Sequence, residues 1–399
     1  MIPESSPRGI SRRDMLGTTG AAAAGMMLLS DAVGADNPAA QVEDRASSIR
    51  ITGFKTYSVG SKTLVKIETN QQIFGWGEIS NLPPTVAAPL MQSVFELLNG
   101  ENPTRIEHLW QKLYRAHRIL RGGAFMVHTI AGIDMALWDI SGKLHGVPVY
   151  RLLGGPSRDK IRVYPTAKAY KVPAGGPKAA SGDPVTVENM VRAVRQARER
   201  VGLDGAVMFD AHSCLPPPIL IQFANAIESY DVMWIEEPAV PGNIEVFKRI
   251  KAAVRVPLAA GERDRTIWEV IPYLQERCLD ILQPDCCYGG GITQMKKVAV
   301  LAETFFVPLA PHSTASFLGI AASFHAVAST PLFLIHEFYP NDLSGVLKKT
   351  WEVDEKGYAS LPQGPGLGVE VDESALAKLP PATFKWPGGK NPDGSVADY

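Results

Sequence analysis

The chain has 399 residues, 45% of them hydrophobic and 20% charged, with a formal net charge of −1. This is an ordinary soluble globular make-up, long enough for one barrel plus a smaller domain, and its charge balance points away from nucleic acid and from anionic membranes as partners. Four cysteines (Cys214, Cys278, Cys286 and Cys287) lack metal-type CxxC spacing and read as reduced structural residues, not as a disulfide framework.

The N-terminus reads as an export signal. Ser11-Arg12-Arg13-Asp14-Met15-Leu16 is a twin-arginine pattern, an uncharged run from Leu16 to Ser30 follows, and Val33-Gly34-Ala35 resembles a small-residue cleavage site. The run is too short and too rich in Gly and Ala to hold a span of ~20 apolar residues. Residues 1–48 are therefore expected to be a Tat-type signal and linker. The mature protein is expected to be periplasmic or otherwise exported, free of the membrane, and cytoplasmic only if the signal is not used.

From Ile49 to Ser80 apolar and polar residues alternate in three runs, broken at Thr69-Asn70-Gln71-Gln72, which predicts an antiparallel meander. Helical patterns follow over Thr85–Leu98, Thr104–Arg118 and Met126–Leu144. Strands followed by segregated helices make an α+β domain, here residues 49–155.

Residues 156–340 carry a train of βα units. Six short apolar runs end on Asp210, Glu236, Glu262, Asp285, His312 and Glu337, at intervals of about 25 residues, with helical patterns between them. Such a train predicts a parallel barrel, whose strand-end side chains share one mouth. One section is short. Between Ile161 and Asp210 only one strand, at Ile161–Tyr164, and one helix, at Thr186–Arg200, are clear. Either the second strand is a stub near Lys168–Val172 or the barrel is irregular there. Residues 341–399 form a tail of low regularity, expected to pack back on the first domain.

Asp210, Glu236 and Glu262 end three consecutive strands. Carboxylates facing one point repel unless a cation lies between them, and hard oxygen ligands with open positions suit Mg²⁺. His212, two residues after Asp210, is expected on the same strand face, within reach of what the metal holds. Asp285 and His312 end adjacent strands, close enough for the carboxylate to hydrogen-bond the imidazole and raise its basicity, as a general base requires. Glu337 faces the same mouth. The remaining histidines (108, 117, 128, 145 and 325) read as packing or surface residues outside the mouth. His336 is assigned no role. Lys168 and Lys171 offer a second base or a carboxylate partner, but a solvated lysine is the favoured reading in so Pro/Gly-rich a region.

The motifs Gly75-Trp-Gly-Glu78, Ala131-Gly-Ile-Asp-Met-Ala-Leu-Trp-Asp139, Trp234-Ile-Glu-Glu-Pro238, Ala260-Gly-Glu262, Gln283-Pro-Asp285 and Ala310-Pro-His312 together resemble the enolase superfamily and, within it, the mandelate racemase/muconate lactonizing enzyme-like group. Asp210-x-His212, Gly261-Glu-Arg263, Gly289-Gly-Gly-Ile and the closing Gly-Leu-Gly-Val-Glu are most similar to galactonate and other acid-sugar dehydratases. The resemblance implies an α/β fold, a modified (β/α)7β-type TIM barrel with an N-terminal α+β capping domain. It implies one Mg²⁺ per subunit on Asp210, Glu236 and Glu262, and a base formed by His312 with Asp285. His212 would be the general acid, and Glu337 would bond the enolate oxygen. The substrate would be a sugar acid, dehydrated to a 2-keto-3-deoxy acid, and the protein a homo-oligomer. A racemase or epimerase on the same scaffold, and a catalytically impaired sugar-acid binder, are the alternatives.

Overall fold

The structure is a computed structural model that describes residues 45–116, 118–174, 184–380, 384, 390 and 393–396. The twin-arginine stretch, His117 and the Pro/Gly-rich residues 175–183 lie outside the described residues. Packing divides the chain into Met1–Ser48 and Ile49–Tyr399. Within the first, Arg45–Ser48 makes one helical turn.

The second body begins with the meander. β1 (Ile51–Val59), β2 (Lys62–Thr69) and β3 (Phe74–Ser80) pair antiparallel in that order. α1 (Pro84–Val94), α2 (Ile106–Arg115), α3 (Ala124–His145) and the single turn α4 (Val149–Leu152) follow. Val65, Ile67, Leu109, Trp110, Ile133 and Leu137 form their common core. α3 is buried along most of its length because it is clamped between the meander and the barrel. A Cβ on Gly77 would lie 1.9 Å from the Gly132 carbonyl oxygen, so only glycine lets β3 approach α3 this closely. Asp139 of α3 takes the Trp76 N–H at 2.9 Å and the Leu367 N–H at 2.9 Å, tying the meander and the C-terminal tail to one carboxylate.

The barrel strands are β4 (Lys160–Tyr164), β5 (Ala169–Pro173), β6 (Ala206–Asp210), β7 (Trp234–Glu236), β8 (Leu258–Ala260) and β9 (Ile281–Leu282). β5 to β9 form one five-stranded sheet in sequence order, with parallel pairing throughout. The next position is reduced to bridges: Leu309 pairs with Leu282 and with Phe333, both parallel. β10 (His336–Glu337) then pairs parallel with β4, carrying the ring of strands back to its start. Proline explains the thin ladders, since Pro257, Pro284, Pro308 and Pro311 flank these strands and lack an N–H to donate. Outside the strands run α5 (Pro184–Val201), α6 (Pro217–Ile227), α7 (Ile244–Ala253), α8 (Thr266–Gln275), α9 (Gly291–Thr304) and α10 (Phe317–Ala328). The apolar faces of α5 to α9 meet Val207, Phe209, Ile235 and Leu258 on the outward side of the strands, and α10 packs with Ile161 and Val163 of β4. Tyr164, Met208, Trp234, Ile281 and Ile335 fill the inside.

The short section is explained by a missing helix. β4 is followed by only four residues, 165–168, with a Thr166–Ala169 bridge, before β5 begins. The other edge of β4 is taken by β12 (Tyr358–Ser360), which pairs with it antiparallel. The tail is thus more regular than expected. Besides β12 it contributes β11 (Leu347–Lys349) and β13 (Val369–Val371), paired antiparallel. All four cysteines are buried thiols, none of them in a disulfide.

Candidate active site at the barrel mouth

The strand-end acids converge because each terminates an apolar run whose preceding side chains are locked in the barrel wall. Asp210, Glu236, Glu262, Asp285, His312 and Glu337 are all buried. At their centre stands Lys171. Its Nζ lies 3.1 Å from Asp210 Oδ2, 3.0 Å from Glu236 Oε1 and 2.7 Å from Glu337 Oε1. This overturns the reading of Lys171 as a solvated lysine. With the first helix absent, β5 follows β4 directly, and its register against β6 puts Lys171 opposite Met208, an inward residue. Burial alone would lower the ammonium pKa, but Glu236, Tyr164, Glu337 and Asp210 hold it well above its ordinary value. Lys168 instead points to Val201 O at 3.5 Å, away from these acids.

His312 forms the second centre. Its Nδ1 lies 2.7 Å from Asp285 Oδ2, and Asp285 Oδ1 is held by the N–H groups of Cys287 at 2.6 Å and Tyr288 at 3.1 Å. Nε2 faces Glu262 Oε2 at 3.6 Å and Glu337 Oε2 at 3.7 Å. Burial opposes protonation of this ring, yet Glu262, Glu337 and Asp285 outweigh it and raise its pKa well above the ordinary value. Glu337 also accepts the Ser313 N–H at 3.0 Å. It therefore touches both the lysine and the histidine centres.

His212 reaches the mouth by a different route from the one expected. β6 ends at Asp210, and His212 and Ser213 have φ of 47° and 53°, so the alternation of a strand no longer applies. The turn folds the ring back to put Nε2 3.5 Å from Asp210 Oδ2, with the side chain 57% exposed. Among the described residues, the cluster whose ligand atoms all lie within 4.8 Å of one another is His212, Glu237 and Glu262, not the expected Asp210, Glu236 and Glu262, because Asp210 and Glu236 pair with Lys171. Glu237, the second acid of Trp234-Ile-Glu-Glu-Pro238, was not foreseen from the sequence. Its φ of 43° turns it into the mouth, where burial and then Glu262 push its pKa up to about 7.

A divalent cation fits this donor set. Glu262 Oε2 is buried without a hydrogen-bond partner. Burial, followed by repulsion from Asp210 and Glu337, pushes Glu236 up to about 7 despite Lys171, and burial also raises Glu262. Carboxylates held this close and this dry are stabilised by a hard cation, and their oxygens suit Mg²⁺.

The capping domain supplies a wall. The His128 ring stacks on Tyr288 with centroids 5.0 Å apart, and Tyr288 lies 5.6 Å from the His312 ring. His128 is therefore not outside the mouth, as its helical pattern had indicated. Beneath the wall a buried ion pair, Lys62–Glu78 at 3.1 Å, grips the loop after His312. Lys62 donates to Thr314 O at 2.9 Å, and Glu78 accepts the Ser316 N–H at 3.1 Å. His336 points away from the mouth, with Nε2 2.6 Å from Ser323 Oγ.

Comparison with known proteins agrees with this architecture. Residues 40–154 match the model of the mandelate racemase/muconate lactonizing enzyme N-terminal domain, and residues 160–375 match the enolase C-terminal domain-like model. The chain is 34% identical over 385 residues to D-galactonate dehydratase of Variovorax paradoxus, covering 88% of this chain and 100% of that protein. It is 35% identical over 384 residues to D-galactonate dehydratase of Ralstonia nicotianae, with the same coverage. An enolase from Agrobacterium radiobacter, solved with sodium and L-malate bound, superposes with a TM-score of 0.79 at 30% identity, covering 87% of this chain and 99% of the other. The 3,6-anhydro-D-galactonate cycloisomerase of Zobellia galactanivorans gives 0.75 at 28% identity, covering 82% and 98%. The chain belongs to the mandelate racemase/muconate lactonizing enzyme group of the enolase superfamily.

Proposed function

We propose that the protein is a hydro-lyase that dehydrates acid sugars of the galactonate type to 2-keto-3-deoxy acids, with one Mg²⁺ per subunit. The observation that carries this reading is the buried His312–Asp285 pair, whose free ring nitrogen faces the carboxylate cluster. The D-galactonate dehydratases similar to the chain supply the substrate class.

In this reading Asp210, Glu236 and Glu262 would hold the Mg²⁺, with Glu237 and His212 close beside Glu262. Bound there, Mg²⁺ supplies positive charge to the substrate carboxylate while negative charge builds on it. Asp285 fixes the His312 ring through Nδ1, leaving Nε2 to take the proton α to the carboxylate. The neighbours that hold His312 protonated include Glu262, an acid the cation would claim. Glu337 and Lys171 border the developing enediolate. His212, the exposed ring at the rim, gives a proton to the departing β-hydroxyl. Water leaves, and the resulting enol tautomerises to the ketone.

Dehydration is favoured over racemisation by Lys171. A racemase needs a second base opposite His312, and this lysine is kept as an ammonium by three carboxylates. We further propose export by the N-terminal signal and assembly as a homo-oligomer, to be read by fractionating cells and by light scattering of the purified protein. The test of function is incubation with Mg²⁺ and a panel of aldonic and aldaric acids, assayed for 2-keto acid. The reading predicts keto acid from at least one member and none with His312→Asn. Binding of an acid with no keto acid from any member would identify a binder. Solvent deuterium at the α carbon without dehydration would identify a racemase.

A further inference from the structure

Beside the mouth lies a cavity of about 580 Å³ that none of the proposed steps uses. It opens between the loop leading into α7 and the start of α8, and its size falls within the roughly 300–1,000 Å³ of small-molecule sites. Ile244, Pro272 and Tyr273 give it an apolar wall, and Asp264, Arg265 and Glu269 give it a polar one. Asp264 is 6% exposed; the Tyr273 hydroxyl hydrogen-bonds its carboxylate, and its Oδ2 is buried with no hydrogen-bond partner. An acceptor left unsatisfied in a ligand-sized cavity calls for a donor from outside the chain.

The charges around it are already balanced. The Arg263 guanidinium donates to Glu237 Oε1 at 2.5 Å and to Ser213 Oγ, which makes it the partition between cavity and mouth. The Arg265 guanidinium lies 3.5 Å from Glu269 Oε2. With both arginines paired, the site favours a neutral ligand rich in hydroxyls over an anion. Hydroxyls donate and accept at once, which suits a carboxylate with one unpartnered oxygen next to paired guanidinium groups, while the C–H faces of a sugar ring suit the proline, isoleucine and tyrosine wall.

We propose that this cavity is a subsite for the remote sugar ring of an aldobionic acid, a sugar acid that carries a glycosyl group, with the carboxyl end placed at the mouth. The inference rests on the mouth being an acid-sugar site and extends it to a longer substrate. The partition explains the arrangement: the carboxylate meets the acid and histidine cluster on one side of Arg263, and the uncharged ring meets Asp264 on the other.

The experiment compares lactobionate and maltobionate with galactonate and gluconate in wild type, Ile244→Trp and Asp264→Asn. The subsite predicts that kcat/KM for one aldobionate at least equals that of its parent aldonate. Ile244→Trp, which fills the cavity, should lower the aldobionate value about tenfold, the worth of one lost set of contacts, and leave the aldonate value within twofold. Asp264→Asn should act in the same selective direction. Turnover of aldonates without aldobionates, or equal effects on both classes, would overturn the proposal. If wild type turns over no acid sugar, it is the functional reading that fails. The cavity is then judged by calorimetric titration with lactobionate, where binding lost in Ile244→Trp supports it and no binding to wild type refutes it.

Discussion

Replacing Lys171 by methionine removes the ammonium set among Asp210, Glu236 and Glu337, at 2.7–3.1 Å from each. Methionine keeps the volume and takes away the charge, so three carboxylates are left dry and uncompensated. Deleting one partner of a buried ionic cluster costs about 3–5 kcal/mol. With an unfolding entropy of about 2.1 cal/mol/K per residue over about 350 residues from Ile49 onward, that is a fall in Tm of roughly 4–7 °C. The assay is thermal unfolding of wild type and Lys171→Met in EDTA and again in excess Mg²⁺. In EDTA the variant should melt lower by that amount. In Mg²⁺ the gap should narrow, because a divalent cation compensates the same oxygens and gains affinity once the neighbouring positive charge is gone. An EDTA melting point within 1 °C of wild type would refute the reasoning, as would identical Mg²⁺ shifts for the two proteins.

Asp285→Asn should lower kcat by about 10²–10⁴-fold while leaving KM nearly unchanged, since it withdraws the group that orients His312. It also removes one of the acids that raise His312, so the acidic limb of the kcat profile should move to lower pH. Glu78→Ala strands Lys62 in a seam where neither side chain is more than 7% exposed. A loss of about 3–5 kcal/mol is expected by chemical denaturation, with kcat falling as the Ser313–Ser316 loop loosens. His325 and His336 are fully buried, and burial pushes both down to about 4 from 6.5. Because the fold prefers both rings neutral, the stability they contribute is fully present above pH 6.5 and is lost as pH falls toward 4. The total is on the order of 3 kcal/mol each, readable as the pH dependence of the urea midpoint for wild type against His325→Gln.

The strand-end acids were legible because each follows an apolar run whose burial on both sides marks a parallel strand, and the rhythm of the runs orders them around one mouth. Asp285 and His312 could be paired for the same reason. Lys171 could not be placed, because its direction depends on a register against β6 that exists only once the first barrel helix is missing. Glu237 was hidden behind Glu236: its entry into the mouth depends on a positive φ that the residue type does not announce. His128 belongs to a helix of the capping domain, and only the docking of that domain carries it over Tyr288. The reach of His212 was anticipated, but through strand alternation, whereas the chain achieves it with two left-handed residues after the strand has ended.

The central claim is that His312 removes the hydrogen α to the carboxylate of a sugar acid. The most direct measurement follows that hydrogen, using galactonate deuterated at the α carbon with wild type and His312→Asn in the presence of Mg²⁺. The account predicts a primary isotope effect on 2-keto acid formation by wild type, and neither product nor α exchange with the variant. Keto acid formed with no isotope effect, or formed by His312→Asn at the wild-type rate, would contradict it.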